Sequence, residues 1–468
     1  MNENATTEMV EVEAPKAVDT NVIFSFKKKL AYGLGDFGNN FSWTFVGSFL
    51  TYFYTDVFGL SAAAVATLIL ISRIWDAIND PIVGALADRT KTRWGRYRVW
   101  ELCAAPICAA LVILTYTAHP EWTDKSKTIY MYVSYGLLVL AYTCVNLPYG
   151  TMASAMTQNI SERGKLSTFR LTCALIAIQC INALTNPLAL KLGAGDKAIG
   201  YHRVAIVYAV IFVIMHLICG LNTKEVLYAE KKTSVGFFKN FKAVAKNKYF
   251  ILAVICQTIW GFNVYGRGAL GMYYFTYYEG NVGLFSIFSL FGMGSFIGAS
   301  TFPFFYNKLK NKGKVAALAA FGAGIFMAPL GFLRCTNTPA VFYACTLISS
   351  LFSGLFTTSV YAVVPDTAEY GEWKTGVRND GFQYAFVSFG NKVGQAIGSA
   401  GGIAILGALG YVAGQSQSQT VLNALNFMWG ILPPILWIVS GFLFLLYKID
   451  QNMFNNMLAD IKARKEQN

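Results

Sequence analysis

The chain has 468 residues, 55% hydrophobic and only 13% charged, about half the charged share of an ordinary soluble domain. Its formal net charge of +13 invites a nucleic-acid reading, but the Lys and Arg sit in short loops between long apolar runs, so the excess is topological and that reading fails. Nine cysteines without a CxxC pair and three scattered histidines, His119, His202 and His216, argue against a metal-dependent membrane enzyme.

Met1 to Asn21 is polar and acidic, with no basic region leading into an apolar one, so it is no signal peptide. Residues 1–27 are expected to form a disordered cytoplasmic tail. A membrane span needs about 20 predominantly apolar residues. Twelve such stretches are expected, at about 31–55, 61–86, 99–118, 128–156, 166–191, 203–221, 249–278, 283–306, 315–334, 339–365, 382–410 and 421–447. Most of the 38 Lys and Arg fall in the tails and in alternate loops. The opposite loops hold Lys125, Lys127, Lys191, Lys197, Arg203 and Arg334, while Arg73, Arg170, Arg267 and Lys392 fall inside spans. This asymmetry places both termini in the cytoplasm of a multi-pass cell-membrane protein.

The longest polar segment, residues 222–248, divides the chain into six-span halves at 28–221 and 249–447, with a second cytoplasmic tail at 448–468. Each half carries a basic loop after its second span, Asp88 to Arg96 and Asn307 to Lys314. The expected fold class is therefore an all-α membrane protein of 12 transmembrane helices in two halves, similar to the major facilitator fold.

Polar residues inside the spans are candidate functional groups, because a carboxylate at mid-membrane costs roughly 2.5–3.5 kcal/mol on insertion scales. The first span has Tyr32, Asp36, Asn39, Asn40 and Trp43 at helical spacing, hydrogen-bonding groups beside aromatic rings, as a sugar requires. On the second span Arg73, Asp76, Asn79 and Asp80 share one face. Clustered oxygens of this kind suit Na⁺ or a proton. The fourth span contributes Tyr142, Thr143 and Asn146, the fifth Arg170, and the eleventh Lys392 between Asn391 and Gln395. Glycines 390, 394, 398, 401 and 402 are expected to let the eleventh helix pack closely on a neighbour.

Several segments resemble the glycoside–pentoside–hexuronide:cation symporters, the melibiose-permease-like family. They are Tyr32-Gly33-Leu34-Gly35-Asp36, Tyr54-Thr55-Asp56, Arg73 to Pro81, Thr92-Arg93-Trp94-Gly95, Asn146-Leu147-Pro148-Tyr149, Asp366 to Glu372 and Lys392, in order from about residue 28 to about 450. The resemblance implies a cation site of Asp76, Asn79, Asp80 and Thr143. It also implies that Arg73, Tyr142, Arg170 and Lys392 surround the sugar and its coupling path.

The sugar site departs from melibiose permeases: two aspartates are replaced by Asn40 and Asn146, a lysine by Asn39, and aromatic platforms by Gly150 and Thr357. The pattern is closest to the pentoside and hexuronide branches. The expected activity is import of a neutral xyloside- or glucoside-type sugar with Na⁺ or H⁺, with a glucuronide as the rival substrate. Asp36 is then the carboxylate left to bind sugar. A lipid or lysolipid carrier on the same fold is the further alternative. No cofactor, catalytic residue or nucleic-acid partner is expected, only sugar, monovalent cation and bilayer, with the monomer as the working unit.

Overall fold

The computed structural model describes residues 23–157, 159–225, 247–376 and 380–467. The expected disorder of residues 1–22 and most of the expected middle loop lie outside the described residues. Among the described residues the architecture is all helical, and ten helices are long and apolar enough to cross a membrane.

The amino-terminal half holds α1 (Phe26–Phe45), α2 (Ala62–Arg89), α3 (Arg98–Thr115), α4 (Asp124–Met156), α5 (Ile160–Gly193) and α6 (Lys197–Asn222). The helix α1 begins inside the segment expected to be a tail, because the Ser25 hydroxyl accepts from the Lys28 N–H and caps it. Two π-helical turns, Val46–Leu50 and Phe53–Val57, extend it.

The carboxy-terminal half starts with α7 (Lys248–Tyr273), continued by a π turn at Tyr274–Tyr278. The eighth expected span is broken into α8 (Gly283–Phe291), α9 (Gly294–Ser300) and α10 (Phe302–Leu309). Then come α11 (Lys312–Met327), α12 (Pro339–Thr375), α13 (Asp380–Ala396), α14 (Gly402–Ala408), α15 (Gln419–Asn426) and α16 (Leu432–Leu445). The segment expected as the final tail is largely helical. In α17 (Gln451–Gln467) Met457 and Ile461 are buried, and Trp373 Nε1 donates to Asp460 Oδ2 at 2.8 Å.

The first and eleventh expected spans, α1 with its π turns and α13 with α14, are not among the ten apolar helices. Their faces carry Asp36, Asn39, Asn40, Asn391, Lys392 and Gln395, which lowers their hydropathy. The helices least suited to lipid thus carry much of the candidate site, and apolar neighbours shield them. Inside the first half α1 packs on α5 and α6, and α3 on α4 and α6; in the second, α13 packs on α7, and α11 on α12 and α16.

Close packing fixes α13. A methyl group on Gly398 would lie 2.6 Å from the Phe262 carbonyl oxygen, and one on Gly390 3.0 Å from that of Val254. The two backbones therefore touch, and small residues at these positions allow it. Gly402 instead abuts the Leu270 side chain, whereas Gly401 faces open space.

Arg267, an unexplained basic residue of the seventh span, has a structural account. Pro433 and Pro434 lack the N–H groups that would serve the Trp429 carbonyl in an α or π turn. Arg267 Nε donates to that carbonyl at 3.1 Å, and its guanidinium stacks 4.1 Å from the Trp429 ring centroid.

The halves meet at the end of the bundle opposite the Asp88–Arg96 loop. There the Asp56 carboxylate accepts from Tyr277 and from Tyr411, the latter at 2.6 Å, and Thr55 pairs with Tyr273 at 2.8 Å. Phe49 and Phe285 add an edge-to-face contact across the same seam. At the basic end Glu225 accepts the N–H groups of Arg96, Tyr97 and Arg98 at 2.7–2.8 Å, which fastens the start of α3.

Candidate transport site

Two polar clusters converge near the middle of the bundle. In the first, α2 presents Asp76 and Asp80 one turn apart, toward α4 and α13. Thr143 Oγ1 donates to Asp80 Oδ1 at 3.3 Å, and Lys392 Nζ lies 2.6 Å from Asp80 Oδ2 and 3.7 Å from Asp76 Oδ2. Arg73 Nη1 is 4.0 Å from Asp76 Oδ2. Two carboxyl groups thus face two basic side chains, a formally balanced set.

Asn79 is 2% exposed, yet among the described residues neither its amide nitrogen nor its amide oxygen has a partner. A buried amide left so costs about 1–3 kcal/mol, so the site holds unused ligand capacity. The resemblance set Lys392 around the sugar and its coupling path, and its ammonium lies against the two aspartates.

The second cluster lies within the amino-terminal half. Arg170 grips Asp36 through Nε at 2.9 Å and Nη2 at 3.4 Å, and its guanidinium lies 4.7 Å from the Tyr149 ring centroid. The Tyr149 hydroxyl donates to the Tyr32 carbonyl at 2.7 Å and accepts the Asp36 N–H at 3.1 Å. Asn39 Nδ2 donates to Asn146 Oδ1 at 3.3 Å, tying α1 to α4. Asn40 is satisfied inside α1, through the Asp36 carbonyl and Thr44. Trp43 stacks on Tyr142, centroids 4.5 Å apart and planes at 16°.

Two side chains join the clusters. Arg73 reaches from Asp76 to the face of Trp43, 5.5 Å from its centroid. On α4, the neighbours Tyr142 and Thr143 touch Trp43 and Asp80 respectively. A shift of α4 that follows one cluster therefore moves a contact of the other.

Beside Arg73 a cleft between the halves is lined by Trp43, Thr51, Tyr135, Tyr265, Gln395 and Ser399 among others. Thr51, Tyr135, Tyr265 and Ser399 escape the sequence reading, as does the role of Tyr149. No charge or spacing within one span marks them; they matter through neighbours on other helices.

Comparison with known proteins agrees with this architecture. The profile described as MFS/sugar transport protein matches residues 31–451. The chain is 31% identical to the isoprimeverose transporter of Lactiplantibacillus pentosus over 97% of this chain and 95% of that protein. It is 30% identical to the glucuronide carrier protein homolog of Escherichia coli (strain K12), over 95% and 97%. Among solved structures it resembles the D-xylose–proton symporter with a TM-score of 0.60 at 12% identity, over 91% of this chain and 98% of that one. That likeness concerns the fold alone. The chain is therefore a multi-pass membrane transporter, not an enzyme, and belongs to the MFS/sugar transport protein family of cation-coupled sugar symporters.

Proposed function

We propose that this chain imports a neutral glycoside together with one Na⁺ or H⁺, bound at Asp76 and Asp80 with Asn79 and Thr143 assisting. The observation that carries the reading is the Lys392 ammonium, held 2.6 Å from Asp80 and 3.7 Å from Asp76 beside the unpartnered Asn79 amide. A monovalent cation entering this formally balanced cluster adds one charge too many, so it competes with Lys392 for the carboxylates. The displaced ammonium then turns to sugar hydroxyls, and cation and sugar favour each other reciprocally.

Asp56 and its tyrosine partners hold the outer end of the two halves together in this conformation, and both termini lie in the cytoplasm. Rocking of the halves about the central clusters completes alternating access. The chain acts as a monomer.

A neutral substrate is favoured because each cation near the cleft already faces a carboxylate, Arg73 with Asp76, Arg170 with Asp36 and Lys392 with Asp80. The relative named for isoprimeverose supports this choice. A glucuronide is the second reading, favoured by the relative named as a glucuronide carrier homolog and by the release of Lys392 on cation binding. The test is counterflow in proteoliposomes with xylosides, glucosides and glucuronides in parallel. Counterflow of a neutral glycoside is expected; counterflow of glucuronides alone refutes the neutral-sugar reading.

A further inference from the structure

Behind the Asp36–Arg170 pair, the amino-terminal half contains an acid–base pair that the transport site does not use. Glu101, in the first turn of α3, and His216, near the end of α6, are both 0% exposed, with Glu101 Oε1 and His216 Nδ1 3.0 Å apart. Among the described residues His216 is the only basic group within 4 Å of that carboxylate. Among the described residues His216 Nε2 has no partner, and the Cys219 thiol lies within hydrogen-bond reach of the Glu101 carboxyl. An ionised Glu101 beside a neutral imidazole would bury a net charge, which costs several kcal/mol. The pair is neutral only when it holds one proton, on either member, so it binds that proton as a unit.

The pair also touches the sugar side. A methyl group on Gly38, two residues after Asp36, would lie 3.3 Å from His216 Nε2, so the ring rests on the α1 backbone. Its ring centroid is 6.4 Å from that of Tyr149, whose hydroxyl holds the Asp36 N–H. Cys219 on α6 and Tyr149 on α4 adjoin the pair, and beyond them lie Tyr32 and Asp36 on α1 and Arg170 on α5.

We propose that Glu101 and His216 form a proton-binding site separate from Asp76 and Asp80, and that its proton, exchanged with the cytoplasm, sets sugar affinity through Tyr149 and the Asp36–Arg170 pair. Loss of that proton leaves a negative charge that repels Asp36 and draws Arg170 away from it. Sugar affinity therefore falls as pH rises. This inference rests on the sugar-transport reading above.

The test is equilibrium sugar exchange in proteoliposomes at fixed Na⁺, with equal pH on both faces so that no gradient drives it. Wild-type affinity should fall by about threefold or more as pH rises, the sign of coupling to one proton. Glu101→Gln, which keeps a hydrogen-bonding group but no dissociable proton, should flatten that dependence. A pH-independent wild type, or a Glu101→Gln profile that superimposes on a pH-dependent wild type, overturns the proposal. Absence of exchange for every sugar would instead overturn the transport reading.

Discussion

The two polar clusters of the bundle differ in how far their groups are already satisfied. Around Asp36 the partners all come from one half, and Arg170, Tyr149 and the Asp36 backbone bind one another in a closed set. Around Asp76 and Asp80 a lysine arrives from the other half, its side chain 43% exposed, while Asn79 has no partner among the described residues. A closed set positions a ligand; an incomplete one exchanges partners. On the proposed reading the first shapes the sugar site, and the second senses the cation and couples the halves.

The largest effect should follow removal of the second cluster's central ligand. Asp80→Ala should abolish accumulation, which a potential of 100 mV would drive to roughly 50-fold for one coupled charge, while exchange persists. The steady-state ratio of internal to external sugar checks this, and full accumulation by the variant would break the contrast between the clusters.

Arg170→Ala should be next. It strands Asp36, and because the pair is partly exposed the loss is about 2 kcal/mol, roughly 30-fold in sugar affinity. Arg170→Gln combined with Asp36→Asn should lose less than Arg170→Ala alone, in a binding titration. Equal losses would mean that the set is not closed.

Lys392→Ala sharpens the opposite property. Removing the competing ammonium should raise apparent cation affinity by about fivefold while sugar flux falls. Weaker cation binding would make Lys392 a supporting group and not a competitor. Of the same size is the effect of Tyr411→Phe at the outer seam. One hydrogen bond is worth about 1 kcal/mol, so labelling of a cysteine placed near Gly47 from outside should rise by about fivefold.

Much of the fold is legible in the chain because lipid imposes one rule on each span, and long apolar runs record it. The spans that depart from the rule are informative. Polar faces on α1 and α13 mark the site, while the breaks at Gly292 and Thr301 in the eighth span leave no trace in hydropathy.

The site residues of α2 are legible because four of them share one helical face. Their partners are not. Lys392 meets Asp80 across 312 positions, Arg267 meets Trp429 across 162, and Glu101 meets His216 across 115. Three histidines that look scattered along the chain thus include one with a buried carboxylate partner, and a basic residue inside a span proves to serve a carbonyl orphaned by proline. Which cluster closes on itself and which stays open is a property of the assembled bundle.

Uptake of a neutral xyloside or glucoside into proteoliposomes under an imposed Na⁺ or proton gradient tests the central claim most directly. The account requires accumulation above the external concentration with at least one of these gradients, and its collapse when that gradient is dissipated. Mere equilibration under both gradients, by protein that exchanges the sugar, would contradict it.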